Sequence, residues 1–304
     1  MPILQATRSF GATGVEVPLI GYGTAPLGKE KEIPRAQGVR YLNHAIDSGI
    51  TYLDTSPDYG SEPVVGEVMK TRRDEVFLAT KVNRRSRKGA LEELKASLEK
   101  LQTDHVDLIQ VHAVNAWADL DQALAPDGVL AALEEAREQG LVRFIGITGH
   151  AHPALLARAL EAYNFDSVLV ALGIADRLVS GPEHFVLPVA EQQNTAVIAM
   201  KVFGHGVFER RDLALRYSLG LPAVSLAIIG LDNEQQIDEV VEAANNFEPL
   251  DEAEHDELVE SVRPIIEDDA KKSSSDGEKG PLFWLHDTNV MGWSEHDEPM
   301  LVSY

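Results

Sequence analysis

Residues 51–112 read TYLDTSPDYGSEPVVGEVMKTRRDEVFLATKVNRRSRKGALEELKASLEKLQTDHVDLIQVH, and this stretch decides the fold class. Three short apolar runs, Thr51 to Asp54, Val76 to Lys81 and Val106 to His112, are separated by two longer stretches with helical spacing, Glu62 to Arg72 and Lys88 to Leu101. Apolar runs of four to eight residues alternating with amphipathic segments are the pattern of βα units and parallel strands. Each run also ends on a polar group, Asp54, Lys81 or His112. An unpaired buried charge is very costly, so two opposite charges at adjacent strand ends predict that they neutralise one another.

Outward from that stretch the pattern repeats. Further strands are predicted at Pro18 to Tyr22, Phe144 to Thr148, Ser167 to Leu172, Ala196 to Lys201 and Ser225 to Ile229. The remaining helices are predicted at Arg35 to Ser48, Asp127 to Glu138, Pro153 to Tyr163, Glu183 to Gln192, Arg210 to Leu219 and Glu234 to Ala244. Gly49, Gly140 and Gly220 stand where helices should stop, a place that favours residues tolerating positive φ. Eight βα repeats between about 17 and 246 predict a closed (β/α)8 TIM barrel rather than an open doubly wound sheet. Leu4 to Glu16 reads as a small β-hairpin covering the N-terminal end. The barrel domain is expected over 1–266. Residues 267–304 are expected as a polar linker plus an aromatic C-terminal tail, with Phe283, Trp284 and Trp293 available to form a flap over the pocket.

The chain has 304 residues, 27 Lys+Arg against 49 Asp+Glu, a formal charge of −22 and no cysteine. Such acidity argues against a nucleic-acid backbone or an anionic membrane as partner. The lack of cysteine excludes disulfides, thiolate metal sites and a cysteine nucleophile. The N-terminal residues lack a basic segment followed by a long apolar run, and no stretch is apolar enough to span a membrane, so a cytoplasmic protein is expected. Gly21 and Gly23 begin a G-x-G pattern, but Pro26 takes the third glycine position and no doubly wound dinucleotide fingerprint results. His150 and His152 lack a third ligand, and no metal is expected.

Functional groups of a barrel collect at the C-terminal ends of its strands and in the loops that follow. Asp54, Lys81 and His112 fall there, with Tyr59 in the loop after Asp54. A neighbouring ammonium lowers a phenol pKa, a carboxylate orients the ammonium, and an imidazole can polarise a carbonyl oxygen. The four together predict a proton donor and an oxyanion site for a carbonyl gaining a hydride.

These residues, spaced by 5, 22 and 31 positions, resemble the Asp, Tyr, Lys, His tetrad of the aldo-keto reductases. RSFGATGVEVPLIGYGTAPLG, GLVRFIGITGH, MKVFGHG and ALRYSLGLPAVSLAIIGLDNEQQIDEV extend the resemblance over about residues 8–246. The resemblance implies Tyr59 as general acid/base, Lys81 and Asp54 tuning it, and His112 orienting the carbonyl of a small-molecule substrate. It implies NADPH or NADH extended across the barrel mouth, near Gly23, Thr24, Thr148, Gly149, Met200, Lys201, Phe203, Gly204, Gly206, Gly230, Leu231 and Gln236. Several of these depart from the better-known family pattern. Thr148 and Gly149 stand for Ser-Asn, Leu169 for a Gln and Met200 for a stacking aromatic. Gly230, Leu231 and Gln236 replace the Lys, Ser and Arg that grip an adenosine 2′-phosphate, which opens the way to NADH. TSPDYGSE also resembles relatives that oxidise sugars with NAD, so an aldose or lactol dehydrogenase is the alternative activity. A nucleotide-sensing binding subunit with little turnover is the alternative of another class.

Overall fold

In a computed structural model, which describes residues 2–150, 153–275 and 280–285, the chain forms the expected barrel. A two-stranded antiparallel hairpin, β1 (Thr7–Ser9) and β2 (Glu16–Pro18), comes first. The eight strands that follow close in the order β10-β3-β4-β5-β6-β7-β8-β9. They are β3 (Ile20–Gly23), β4 (Tyr52–Asp54), β5 (Phe77–Val82), β6 (Val106–Val111), β7 (Val142–Gly149), β8 (Ser167–Ala171), β9 (Ala196–Met200) and β10 (Val224–Gly230), all paired parallel. The helices are α1 (Arg35–Asp47), α2 (Glu62–Arg72), α3 (Arg87–Leu101), α4 (Trp117–Leu124), α5 (Val129–Glu138) and α6 (Pro153–Ala162). They continue with α7 (Ile174–Val179), α8 (Pro182–Gln193), α9 (Arg211–Gly220), α10 (Glu234–Asn245) and α11 (Glu252–Ser275).

Parallel strands are covered on both faces, which is why their sequences are continuous apolar runs rather than alternating ones. Side chains facing outward, such as Leu53, Leu78, Ile109 and Ile147, join the helices in the main core. Those facing inward, including Tyr52, Leu108, Leu169, Ile198 and Leu226, fill the barrel. Phe10, from the hairpin turn, closes the N-terminal end with its ring edge-on to Phe77 at 5.2 Å, and Phe77 stacks on Tyr52 at 4.9 Å. Gly11, in the same turn, lies so close to β9 that a Cβ would stand 2.6 Å from the Ala196 nitrogen.

Three expectations change. Gly49 and Gly140 take φ of 85° and 74° as helix stops, whereas Gly220 remains helical and Ala223 carries the left-handed residue before β10, at φ 60°. The loop after His112 and the one after β8 each hold a helix, α4 and α7. Finally, the polar stretch from Glu267 to Ser275, expected as linker, belongs to α11. That helix buries Leu258, Val262 and Asp269 in a sparse one-sided stripe, too few positions to register as an apolar period in an acidic sequence. Asp269 accepts from the Leu282 N–H at 3.1 Å and so fastens the segment Gly280–Leu285 to the helix. Trp293 lies outside the described residues.

Candidate active site

Strand register brings the polar strand ends level with one another. Gly23 pairs with Asp54, Asp54 with Ala79, and Lys81 with Gln110. Lys81 and Asp54 are 1% and 2% exposed, and Lys81 Nζ donates to Asp54 Oδ1 at 2.5 Å and to the Thr55 carbonyl at 2.8 Å. Gln110 Nε2 donates to the second carboxylate oxygen at 2.9 Å. Burial works against the ammonium, but Asp54 and Tyr59 outweigh it and hold the Lys81 pKa above the ordinary lysine value. Sequence reading passed over this partner of Asp54, although a polar side chain inside LIQVH was the available signal.

Tyr59 ends a single 3-10 turn, Pro57–Tyr59, whose entry is set by Ser56 accepting from the Asp58 N–H and whose exit is Gly60 at φ 74°. Gly28 packs on this turn so tightly that a Cβ there would stand 1.6 Å from the Tyr59 carbonyl oxygen. Lys81 Nζ lies 4.8 Å from the centre of the Tyr59 ring. The phenol pKa is raised, contrary to the expected lowering. Burial is the largest influence and, helped by the Asp54 charge, exceeds the opposing pull of Lys81. Tyr59 therefore holds its proton at neutral pH.

His112 follows β6, its ring edge-on to Tyr59 with centres 6.2 Å apart. Nδ1 faces Asn83 Oδ1 at 2.7 Å, and Arg85 donates to the His112 carbonyl. Burial first, then the charge of Lys81, pushes its pKa down to about 2, so the ring is neutral. All four predicted residues thus meet at the C-terminal mouth.

The twelve positions expected at a cofactor divide. Thr148 is buried at the end of β7, and Gly149 beside it admits no side chain because a Cβ would meet the Val114 carbonyl oxygen at 2.5 Å. Met200 and Lys201 sit at the end of β9. Lys201 takes φ of 63°, its Nζ lies 2.5 Å from His205 Nε2, and burial lowers its pKa to about 8. The same nitrogen lies over the rings of Trp284 at 5.0 Å and Phe283 at 5.6 Å, so the C-terminal segment does reach the mouth. Trp284 Nε1 donates to the buried Asp176 at 2.9 Å. Phe203, Gly204 and Gly206 form the turn that follows, with Gly204 and Gly206 at φ of 54° and 88°. Gly23 and Gly230 are paired neighbours on adjacent strands, and Gly230 is exposed. Gln236 is folded back to accept from the Asp232 N–H at 3.2 Å.

At two positions the side chain is engaged inside the fold. Thr24 is fully buried, its hydroxyl donating to the Asp54 carbonyl at 3.0 Å and meeting Ser61 Oγ at 2.9 Å, which makes it a support for β4. Leu231 packs its side chain in the main core. Near Thr148, the buried Nδ1 of His150 has no hydrogen-bond partner among the described residues. Among those residues no cluster of three or more His, Asp or Glu could hold a metal ion, and no helix is long and apolar enough to cross a membrane.

Comparison with known proteins agrees with this geometry. The model of the Aldo/keto reductase family matches residues 19–213. The holo form of an aldo-keto reductase from Bacillus halodurans superposes with a TM-score of 0.72 at 25% identity, over 84% of this chain and 95% of that one. L-galactose dehydrogenase of Arabidopsis thaliana is 26% identical over 86% of this chain and 94% of its own length. D-threo-aldose 1-dehydrogenase of a Pseudomonas species is 30% identical over 66% and 70%. The barrel, its tetrad-bearing mouth and these matches lead to one conclusion: the chain belongs to the aldo/keto reductase family and is an NAD(P)H-dependent oxidoreductase acting on carbonyl compounds.

Proposed function

We propose that Tyr59 is the group that exchanges the proton with the reacting oxygen, and that Asp54 and Lys81 hold it in place. The observation that carries this reading is the buried Lys81–Asp54 pair directly under the Tyr59 ring. In reduction, the carbonyl carbon gains a hydride and its oxygen a proton. A bound dihydronicotinamide supplies the hydride. The protonated Tyr59 supplies the proton, and the ammonium of Lys81 stabilises the phenolate left behind. Reprotonation from solvent restores the site. In oxidation the same groups run in reverse.

For the cofactor, the unpartnered buried nitrogen of His150 suits a planar polar ring laid against the ends of β7 and β9. We assign Thr148, Gly149 and Met200 to that ring, and Lys201 with the 203–206 turn to the phosphates. Gly23, Gly230 and Gln236 line the adenosine end. Trp284 and Phe283 form a wall of the mouth beside Lys201. The adenosine end carries Asp232, Glu234 and the neutral Gln236, a set without the charged grip that a 2′-phosphate needs. This favours NADH, and with the named activities of the two plant and Pseudomonas relatives it supports a second reading as an NAD-dependent aldose dehydrogenase.

The test is steady-state oxidation of NADH and NADPH by the wild type and Tyr59→Phe with an activated aromatic aldehyde. Tyr59→Phe is expected to keep cofactor affinity and lose turnover by at least about a hundredfold. Turnover within tenfold of wild type would remove Tyr59 from the proton path.

A further inference from the structure

The backbone ladder between the ends of β5 and β6 stops at His112, whose N–H donates to the Val82 carbonyl at 3.0 Å. Ala113 then takes φ of 51°, a left-handed conformation uncommon for a residue with a Cβ, and Val114 has already crossed to β7, donating to the Thr148 carbonyl at 2.8 Å. His112 therefore stands where the chain leaves one neighbouring strand for the other, and strand pairing does not fix its outgoing side. A side chain serves its carbonyl instead, through Nη2 of Arg85.

The same guanidinium reaches the opposite strand end, where Nη1 donates to the Asn83 carbonyl at 3.0 Å. Asn83 and His112 are the two residues whose side chains meet, with Asn83 Oδ1 2.7 Å from His112 Nδ1. One group thus holds the backbone on both sides of the contact that orients the ring. The guanidinium is braced in turn by α4. Its Nε donates to Asp119 Oδ1 at 2.5 Å and its Nη2 to Asp119 Oδ2 at 2.9 Å, the two-pronged pairing of a planar fork with a carboxylate. With Arg85 12% and Asp119 24% exposed, solvent screens this pair little. A lysine would keep the charge but could not hold two carbonyls and a carboxylate in fixed directions.

We propose that Arg85, braced by Asp119, is a positioning residue that holds His112 in place beside Tyr59. Arg85 does not itself touch the reacting groups. It acts through the His112 backbone, so its effect on turnover disappears once the imidazole is removed. This rests on the reading of Tyr59 as the proton-exchanging group, with His112 beside the same oxygen.

A double-variant cycle on the full chain decides it. Steady-state kcat and KM are measured with 4-nitrobenzaldehyde and the faster of NADH and NADPH for the wild type, Arg85→Met, His112→Ala and the pair. Cofactor affinity is read separately from quenching of tryptophan fluorescence. Arg85→Met is expected to lose about tenfold or more in kcat with cofactor affinity unchanged, because a small displacement of a group at the reacting oxygen suffices for a loss of that size. In the His112→Ala background the same change should cost less than about twofold. Arg85→Lys should recover only part of the loss, which separates the fork from the charge. An equal fold-loss in both backgrounds would make Arg85 a support of the fold alone and overturn the proposal. Wild-type kcat in Arg85→Met, or full recovery in Arg85→Lys, would overturn it as well. If Arg85→Met does not fold, Asp119→Asn, which weakens the brace and leaves Arg85 in the chain, goes through the same cycle against the same criterion. Wild-type turnover in His112→Ala or in Tyr59→Phe would instead overturn the reading of the mouth, and the role of Arg85 with it.

Discussion

Replacing Lys81 by Met tests the buried pair at the centre of the site. Methionine keeps most of the lysine stem, so the packing loss is small and the effect is electrostatic. The Asp54 carboxylate, 2% exposed, would lose its 2.5 Å partner and keep only the Gln110 amide at 2.9 Å. Breaking one side of a buried ion pair costs about 3–5 kcal/mol, because the remaining charge stays desolvated. Since Gln110 still serves one oxygen, the lower half of that range is expected. In a barrel of this size it corresponds to a fall of roughly 6–16 °C in Tm, taking 2–4 °C per kcal/mol. Urea unfolding followed by circular dichroism, with Asp54→Asn and the double variant in parallel, measures it. The double variant removes both charges and should recover at least half of the Lys81→Met loss, with activity absent in all three. A Lys81→Met loss below about 1 kcal/mol, or a double variant no more stable than the single, would refute a charged, mutually dependent pair.

Gly28→Ala would drive a Cβ to within 1.6 Å of the Tyr59 carbonyl oxygen, so the Pro57–Tyr59 turn must move. A fall in kcat of at least about tenfold with a largely unchanged far-ultraviolet spectrum is expected, and wild-type kcat would show that the turn's position does not matter. Gln236→Arg should raise the preference for NADPH over NADH by about tenfold or more, read as a ratio of kcat/KM values; an unchanged ratio would place residue 236 away from the adenosine. Burial holds His112 near 2 and His150 near 3, against 6.5 for an ordinary imidazole. Below pH 6.5 the unfolded chain takes up these protons before the native one, so stability falls with pH. Asp176, raised to about 6 by burial, opposes this because the native state protonates first there. His205, lowered by burial to about 4, acts with the other two imidazoles, and Asp166, raised by burial, acts with Asp176; with three groups against two, Tm should decline from pH 6.5 to 4 with the cofactor absent, and a flat or rising profile would contradict the neutral assignments.

The barrel was legible because its strands are buried on both faces and its helices on one, so the two kinds of element print different periods in the sequence. Ser86 and Asn233, whose side chains accept from N–H groups in the first turns of α3 and α10, belong to the same local chemistry. Asp54, Lys81 and His112 were legible for a related reason, since each interrupts an apolar run where core filling alone would put no charge. What was not legible depends on approach between distant segments. The long helix α11 hides a stripe of three buried positions in an acidic sequence. Trp284 is placed by Asp176, 108 residues away.

By itself the sequence determined the βα repeat, the hairpin before it and which polar residues end strands, because these follow from local period and from the cost of unpaired charge. Tertiary structure decided how those residues act on one another. Closure of the barrel set Lys81 against Asp54 and under Tyr59, and burial then raised the phenol pKa that the ammonium alone would lower. His112 likewise meets Asn83 because β5 and β6 pair, and Asp58 reaches the same ring from the turn after β4. A hydrogen bond of fixed direction needs both partners placed in space, and no spacing along a chain specifies that.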